Sequence, residues 1–206
     1  FMINQAQYQY HIPVELVTVH PQSTMIRKAD SSLIIKSYYH FIRAVNYYLV
    51  ANGFENRLFI HDNCDNFDTY RQQLLKEDFV GLLNASGVPI MDQVIEFAKE
   101  INREMNAIIV FSEKECCAGT ASEIYNLAML TGKLGKTANG ILVLKEKNNS
   151  QGLTDMGISP DLGIGGIPIS DRDLHHRLKE KWQIRSIPRP VNNLYELLEN
   201  AQLKNL

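Results

Sequence analysis

The chain has 206 residues, of which 45% are hydrophobic, and its formal net charge is -2 with a sequence pI of about 6.3. A chain of this length can bury one substantial core, and we predict a single domain over residues 1–206. The near balance of charges excludes the basic surface typical of nucleic-acid-binding proteins. No run approaches the roughly 18 apolar residues of a membrane span, and the first residues lack the layout of a signal peptide. We therefore expect a cytoplasmic protein with no direct membrane insertion.

The three cysteines indicate neither a disulfide nor a metal site. Cys116 and Cys117 are adjacent, which is poor geometry for a bridge, and Cys64 is distant in the sequence. Neither spacing matches the Cys-x-x-Cys pattern of zinc and redox sites. The sequence therefore predicts free thiols and no metal ligands in this chain.

In the N-terminal part of the chain, the sequence predicts two strands between helices. Residues 1–10 lack a helix start signal and are typical of the later part of a helix. The β-branched run at 14–19 predicts a buried parallel strand. Residues 32–35 predict a second strand. Apolar residues at helical spacing within 40–53 then predict a helix that ends at Gly53.

The central part of the chain predicts further helices around another strand. Residues 65–75 and 88–103 predict helices, the second of which opens with Pro89. Residues 106–111 predict a buried strand, and residues 122–130 predict the helix that follows it. This alternation is typical of helices packed on a parallel sheet.

The C-terminal part begins with a long irregular segment, residues 136–168. Irregular runs of this length in a compact domain are usually functional or mobile. Residues 170–182 predict a charged surface helix that starts with a capping residue, Ser170. Residues 185–206 predict a proline-containing linker and a last short helix.

Together these elements predict an α/β fold, with a Rossmann-like, mostly parallel sheet covered by helices on both faces. Ligands of such folds bind at the carboxyl ends of the strands. The turn at residues 20–24 follows the first strand directly, so it is a candidate wall of a binding site. The alternative is an ordinary connection in which Ser23 or Thr24 caps the next turn.

The segment 145–160 carries the strongest functional signal in the sequence. It combines planar amides, which can donate and accept hydrogen bonds, with a glycine that permits close backbone approach to a ligand. We interpret it as a recognition loop for a heterocycle. The alternative is a surface loop whose Asn and Gly residues supply turn geometry. The residues concerned are Asn148, Asn149, Gln151, Gly152 and Asp155.

Two runs in fixed order resemble the molybdopterin oxidoreductases. Residues 126–135 (Asn-Leu-Ala-Met-Leu-Thr-Gly-Lys-Leu-Gly) and 148–157 (Asn-Asn-Ser-Gln-Gly-Leu-Thr-Asp-Met-Gly) are similar to segments of formate dehydrogenase alpha subunits. The related large subunit of NADH dehydrogenase, many members of which have lost the metal cofactor, is also similar. Residues 17–24 and 193–198 extend the resemblance over most of the chain.

The resemblance implies one interior domain of a larger redox subunit, which cradles part of a molybdopterin guanine dinucleotide holding molybdenum or tungsten. Its partners would be the remaining domains of the parent subunit and other redox subunits of an electron-transfer complex. The isolated domain would have no activity of its own. By the same resemblance, the cofactor-binding residues are His20, Pro21, Gln22, Thr24, Lys145, Asn148, Asn149, Gln151, Gly152 and Asp155.

Departures from the family pattern support a second hypothesis. Residues 37–40 (Ser-Tyr-Tyr-His) replace the Pro-Gly-Thr-Asp whose carboxylate recognises guanine in relatives, and residues 145–147 (Lys-Glu-Lys) replace an Arg-Gly-Gln. Lysine lacks the planar fork with which arginine grips a carboxylate or phosphate, and Glu146 adds a negative charge. The alternative function is therefore a cofactor-free scaffold that binds partner subunits, similar to the large NADH dehydrogenase subunit.

A free-standing nucleotide-binding enzyme is a third and weaker hypothesis. The chain has neither a Gly-x-Gly-x-x-Gly turn nor a phosphate loop. The pair Gly132–Lys133 lies at the end of a predicted helix, where the helix dipole has the wrong polarity for phosphate.

Overall fold

The computed structural model describes residues 2–158 and 162–183 of the chain. The chain divides into two compact units, residues 1–144 and residues 145–206. The predicted linker and terminal helix over 185–206 lie outside the described residues.

The first unit contains short strands and most of the helices. Its strands are β1 (Glu15–Thr18), β2 (Ser31–Ile34), β3 (Ile108–Ser112) and β4 (Gly140–Leu144). Its helices are α1 (Met2–Tyr10), α2 (Tyr38–Ala51), α3 (Arg57–Asn63), α4 (Phe67–Leu74), α5 (Phe79–Ser86), α6 (Met91–Arg103) and α7 (Ala118–Leu130). A 3-10 turn at Thr24–Arg27 connects β1 to β2. The second unit contains α8 (Ser150–Asp155), a 3-10 turn at Ile164–Gly166 and α9 (Arg172–Trp182).

Both pairs of strands are parallel. β1 pairs with β2, and β3 pairs with β4. The registers run from Glu15 opposite Ser31 to Thr18 opposite Ile34, and from Ile108 opposite Gly140 to Ser112 opposite Leu144. The predicted α/β class, with short parallel sheets flanked by helices, is confirmed. In the described residues the strands form two separate two-stranded sheets.

The segment predicted to be irregular, residues 136–168, contains regular structure. β4 lies in it because its aliphatic run pairs along the whole length of β3, and α8 follows after a turn. The prediction therefore holds only for the described parts of the connections between these elements.

The ends of several helices also differ from the predictions. α7 begins at Ala118, about one turn before the predicted start, because Cys117 is the last extended residue before it. α6 begins at Met91 because Ile90 is still extended. Asp171, and not Ser170, caps α9, and its side chain accepts a hydrogen bond from the Leu174 amide at 2.8 Å.

α2 forms the centre of the core of the first unit. Phe41, Val45 and Leu49 repeat at helical spacing and are fully buried, as predicted. The helix packs against α5, α6 and α7, and Ile109 and Phe111 of β3 pack against the same cluster. Since burial of one large apolar side chain contributes about 1.5–3 kcal/mol, α2 is a main source of stability.

A buried ion pair joins α2 to α7. The Arg43 Nη1 atom lies 2.7 Å from Glu123 Oε1, and both residues are more than nine-tenths buried. The other side of the Arg43 guanidinium donates to the carboxylate of Glu77. Burial by itself would lower the pKa of Arg43, but the two carboxylates outweigh burial and raise it. The guanidinium is therefore charged and paired on two sides.

Neutral side chains satisfy the rest of the Glu123 carboxylate. Asn46 and Tyr70 donate to its Oε2 atom at 2.9 and 3.0 Å, and Asn126 donates to Oε1 at 3.2 Å. Burial and the charge of Glu123 raise the pKa of the Tyr70 hydroxyl, so this group remains a donor. A buried carboxylate with four donors is well compensated, and the removal of one charged partner is costly.

We expect Glu123→Ala to destabilise the first unit by about 3–5 kcal/mol, because Arg43 would be left as a buried and only partly compensated charge. Urea unfolding monitored by circular dichroism measures this loss. Arg103→Ala is the matched control, since it removes an exposed ion pair with Glu104, for which the expected loss is below about 1 kcal/mol. Equal losses for the two variants would contradict the assigned role of Glu123.

A second acidic cluster lies where β1 approaches the end of α6. Glu15 is an exposed residue, but partial desolvation of its carboxyl group raises the pKa to about 7, and the hydrogen bond and charge of Glu100 and the charge of Glu104 add to the shift. The folded state therefore holds the Glu15 proton more tightly than the unfolded chain does. This contribution to stability is fully present below the unfolded pKa, and it is lost as the pH rises through about 7.

We therefore expect the melting temperature of the wild type to fall more between about pH 5 and pH 8 than that of Glu15→Gln, by at least about 2 °C. The glutamine cannot ionise, so repulsion with Glu100 does not develop at high pH. Scanning calorimetry at several pH values measures the difference. Glu96→Gln, on the exposed part of α6, should retain the wild-type dependence, and parallel curves for wild type and Glu15→Gln would refute the prediction.

Candidate functional site

An open cavity of about 360 Å³ lies in the first unit, where β1, β2 and β3 end and α2 and α7 begin. Parallel strands place their carboxyl ends on one edge, which is where ligands of α/β folds bind. The cavity is lined by Val19, His20, Lys36, Ser37, Tyr38, Tyr39, Glu115, Cys117 and Thr120.

A hydrogen-bonded group of side chains forms one wall of this cavity. The Tyr38 hydroxyl donates to Glu115 Oε2 at 3.0 Å and accepts from the Val19 amide at 3.3 Å. The His20 Nε2 atom lies 3.7 Å from the same carboxylate oxygen. Burial, together with Glu115, raises the pKa of Tyr38. Residues that follow three different strands thus meet in one wall.

The two helices that begin at the cavity have different N-termini. The Ser37 side chain accepts a hydrogen bond from the His40 amide and so caps α2. Cys117 stands at the same position of α7, and its side chain makes no capping hydrogen bond. Apart from the Cys117 sulfur, no side-chain acceptor is seen for the first amides of α7, and such amides favour an anion.

The Cys117 thiol is exposed and lies 3.3 Å from the Thr120 hydroxyl. The hydrogen bond with Thr120, aided by backbone amides at the start of α7, lowers the pKa of Cys117. The pKa of its neighbour Cys116 is raised, first by burial and then by Glu115. The cavity therefore contains the more acidic thiol of the adjacent pair.

The structure brings one of the predicted residues of the 20–24 turn into the cavity wall. His20 lines the cavity, whereas Pro21, Gln22 and Thr24 are exposed and are not among its lining residues. Ser23 accepts a hydrogen bond from the Met25 amide and caps the following turn. The capping alternative is thereby confirmed for Ser23.

The predicted residues of the amide-rich segment lie in the second unit. Gln151 and Asp155 stand one turn apart on α8, and the Gln151 amide donates to the Asp155 carboxylate at 2.8 Å. A Cβ atom at Gly152 would come within 2.8 Å of the Asn149 side-chain oxygen, so a side chain there would require a shift. The side chains of Lys145, Asn148 and Asn149 are exposed. That the residues of the 20–24 turn and those of the amide-rich segment bind the same ligand stays a prediction.

The sequence interpretation missed Glu115, Cys117 and Thr120 as site residues. All three follow β3, so the rule that assigned the turn after β1 to a site applies equally to them. Residues 37–40 depart from the family pattern, and Ser37 in this segment follows β2 and lines the cavity.

Lys133 takes part in structure instead of facing a ligand. It is 3% exposed, and its ammonium donates to the backbone carbonyl of Glu104 at the end of α6. Burial, and then the charge of Lys136, lowers its pKa. Lys133, which follows α7, thus links the C-terminal ends of α6 and α7. This structural role agrees with the absence of a phosphate loop.

Two further kinds of feature are absent from the part of the chain that the structure describes. Within residues 2–158 and 162–183, no group of three or more His, Cys, Asp or Glu side chains is arranged to hold a metal ion. None of the described helices is both long and apolar enough to cross a bilayer.

Comparison with known proteins shows distant relatives. No protein-family model matches the chain. A Staphylococcus haemolyticus protein named "Putative formate dehydrogenase" is 26% identical over 175 residues, and the match covers 81% of this chain and 18% of that protein. A Staphylococcus aureus (strain USA300) protein with the same type of name is 24% identical over 163 residues, with 77% and 16% covered.

The chain thus spans less than a fifth of the length of these curated relatives. Their names support the coarser part of the resemblance found in the sequence, which is similarity to an oxidoreductase family.

We expect the Cys117 thiol to react with iodoacetamide at a lower pH than the other two cysteines, because its thiolate is stabilised by Thr120. Peptide-resolved mass spectrometry after timed alkylation at a series of pH values gives a midpoint for each cysteine. In Thr120→Val, which removes the hydroxyl and keeps the shape, the Cys117 midpoint should rise while that of Cys64 stays constant. An unchanged Cys117 midpoint in this variant would show that Thr120 does not set it.

Proposed function

We propose that this chain is a domain of a molybdopterin oxidoreductase-like subunit that holds one end of a molybdopterin guanine dinucleotide in a formate dehydrogenase-like complex. The observation that carries the proposal is the cavity at the carboxyl ends of β1, β2 and β3, whose lining includes His20, Lys36 and Glu115, in a chain with relatives named as formate dehydrogenases.

The residues of the cavity fit part of a dinucleotide. The start of α7, which has no side-chain cap, and the basic residue Lys36, which is among the lining residues, suit a phosphate group. The Glu115 carboxylate can accept hydrogen bonds from a hydroxyl or amino group. A volume of about 360 Å³ lies at the low end of the roughly 300–1,000 Å³ of small-molecule sites. The cavity would therefore take one end of the cofactor.

When bound, the cofactor would supply two-electron redox chemistry at its molybdenum or tungsten. The role of this chain would be to bind and orient it. In the second unit the exposed amides of Asn148 and Asn149 can reach a heterocycle edge. Gln151 already donates one hydrogen bond to Asp155 and retains its carbonyl oxygen as an acceptor.

One observation favours the cofactor-free scaffold as a second candidate. Glu115 stands in the cavity wall, and Tyr38 donates a hydrogen bond to its carboxylate. A negative charge at this place opposes a pyrophosphate group, and His20, 3.7 Å away, is its nearest possible cationic partner in the wall. A scaffold that binds subunits and no pterin would tolerate this charge.

The test of the proposal measures cofactor content in the complete gene product. Released pterin is quantified by fluorescence after oxidation, and molybdenum and tungsten are quantified by mass spectrometry. We expect stoichiometric pterin in the wild type and an at least about tenfold weaker retention in Lys36→Ala, because a charge-assisted phosphate contact contributes about 1.5–3 kcal/mol. Lys99→Ala, on the exposed side of α6, is the matched control.

The outcomes separate the two candidates. Pterin at background level in a folded wild-type protein would remove the cofactor-binding proposal and leave the scaffold. Pterin that is retained equally by wild type and Lys36→Ala would place the cofactor away from this cavity.

A further inference from the structure

The wall of the cavity in the first unit contains a carboxylate and a histidine that can neutralise it. The Nε2 atom of His20 lies 3.7 Å from the Oε2 atom of Glu115. This distance is too long for a hydrogen bond, so the attraction is that of an ion pair and exists only when the imidazole is protonated. The net charge of the wall therefore changes with the protonation of His20.

Hydrogen bonds to the end of β1 position this pair. The Glu115 Oε2 atom accepts from the Tyr38 hydroxyl at 3.0 Å, and that hydroxyl accepts from the Val19 amide at 3.3 Å. The backbone amide of His20 donates to the Thr18 hydroxyl at 3.0 Å. The carboxylate and the start of the 20–24 turn are thus tied to the same strand end.

The other titratable groups that line the cavity differ from His20 in their response to pH. Lysine and tyrosine side chains keep their charge state between about pH 5 and pH 8, and burial raises the pKa of Tyr38 further. The hydrogen bond with Thr120 lowers the pKa of Cys117, so this thiol gains negative charge as the pH rises. Among the lining residues, Cys117 is therefore the group whose titration must be separated from that of His20.

The dimensions of the cavity bring the wall within electrostatic range of an anion bound at the start of α7. A volume of about 360 Å³ corresponds to a space roughly 9 Å across, which is close to the Debye length of about 8–10 Å. Such an anion is repelled by the Glu115 carboxylate and attracted by a protonated His20. The bound state therefore favours the protonated imidazole.

We propose that the cavity binds the anionic end of its ligand together with a proton, which the imidazole of His20 takes up. The inference rests on the proposed function, in which this end of the ligand carries a pyrophosphate group. A ligand that favours the protonated histidine binds more tightly as the pH falls, and it releases the proton when it leaves. The Glu115 carboxylate also favours the protonated imidazole, so it sets the pH range over which the cavity changes its affinity.

The test uses the 206-residue chain and diguanosine pyrophosphate, a pyrophosphate diester that keeps its charge over the pH range of the experiment. Isothermal titration calorimetry from about pH 5.5 to about pH 8 measures the affinity across the range in which histidines titrate. Repetition in buffers of different ionisation enthalpy gives the number of protons taken up per ligand. Circular dichroism confirms that each protein is folded.

The variants separate the titrating groups of the cavity. His20→Gln removes the imidazole, Glu115→Gln removes the carboxylate charge, and Cys117→Ser removes the thiol. His61→Gln is the matched control, because its imidazole lies 2.9 Å from the Asp62 carboxylate on α3 and is not among the lining residues of the cavity.

We expect the wild type to bind at least about threefold more tightly at the low end of the pH range than at the high end, which corresponds to about 0.7 kcal/mol. It should take up at least about 0.2 proton per ligand near pH 7. His20→Gln should bind weakly at every pH, with little uptake. In Glu115→Gln the affinity should rise at the high end of the range, and proton uptake should move to lower pH. Cys117→Ser and His61→Gln should retain most of the wild-type dependence.

Three results would overturn the inference. The first is wild-type binding that is undetectable or does not change with pH. The second is a full pH dependence in His20→Gln. The third is its loss in Cys117→Ser, because the thiol would then be the titrating group. Pterin in the complete gene product together with binding that does not change with pH would overturn the inference and leave the proposed function. Proton-coupled binding without pterin would support the inference while removing the cofactor-binding proposal.

Discussion

The buried pair of Arg43 and Glu123 is the constraint on which the arrangement of the first unit depends. Both charges are more than nine-tenths buried, and a buried charge is tolerated only when its partners are held in place. The pair therefore fixes α2 against α7 in position and in rotation. The first residues of these two helices line the cavity, so the ion pair at their middle also determines the geometry of the site at their ends.

The packing of helices around α2 explains why only one face of the sheet formed by β3 and β4 is closed. α2, α6 and α7 contribute to one core cluster, and the inward side chains of β3 and β4 pack against it. The aliphatic residues on the opposite face of β3 and β4 do not pack against this cluster, and about half of their surface remains exposed to water. The cavity and the open face thus follow from one packing arrangement, in which the helices are organised around α2.

Several features that depend on neighbouring residues were predicted from the sequence, although α3 and α5 were not. The spacing of Phe41, Val45 and Leu49 specified the buried side of α2, and the β-branched run at 14–19 specified β1. The sequence contains no periodic pattern that indicates pairing between distant residues. Arg43 and Glu123, for example, are 80 positions apart. β4 was missed for a related reason, because its short aliphatic run became a strand only through pairing with β3. Of the four residues predicted for the site in the first unit, His20 alone lines the cavity. Glu115, Cys117 and Thr120 follow β3, and the sequence does not show that the ends of β1 and β3 meet.

The charges within the cavity limit what it can bind. Among the lining residues Glu115 is the carboxylate, while Lys36 and the start of α7 provide the positive side. A ligand that satisfies both must have an anionic group and, a few ångströms away, a hydroxyl or amino group that donates hydrogen bonds. A simple inorganic anion would meet the first requirement and be repelled by Glu115, and a neutral heterocycle would leave the helix end without a partner. A phosphate ester attached to a polar ring or sugar meets both requirements, and this description includes one end of a dinucleotide.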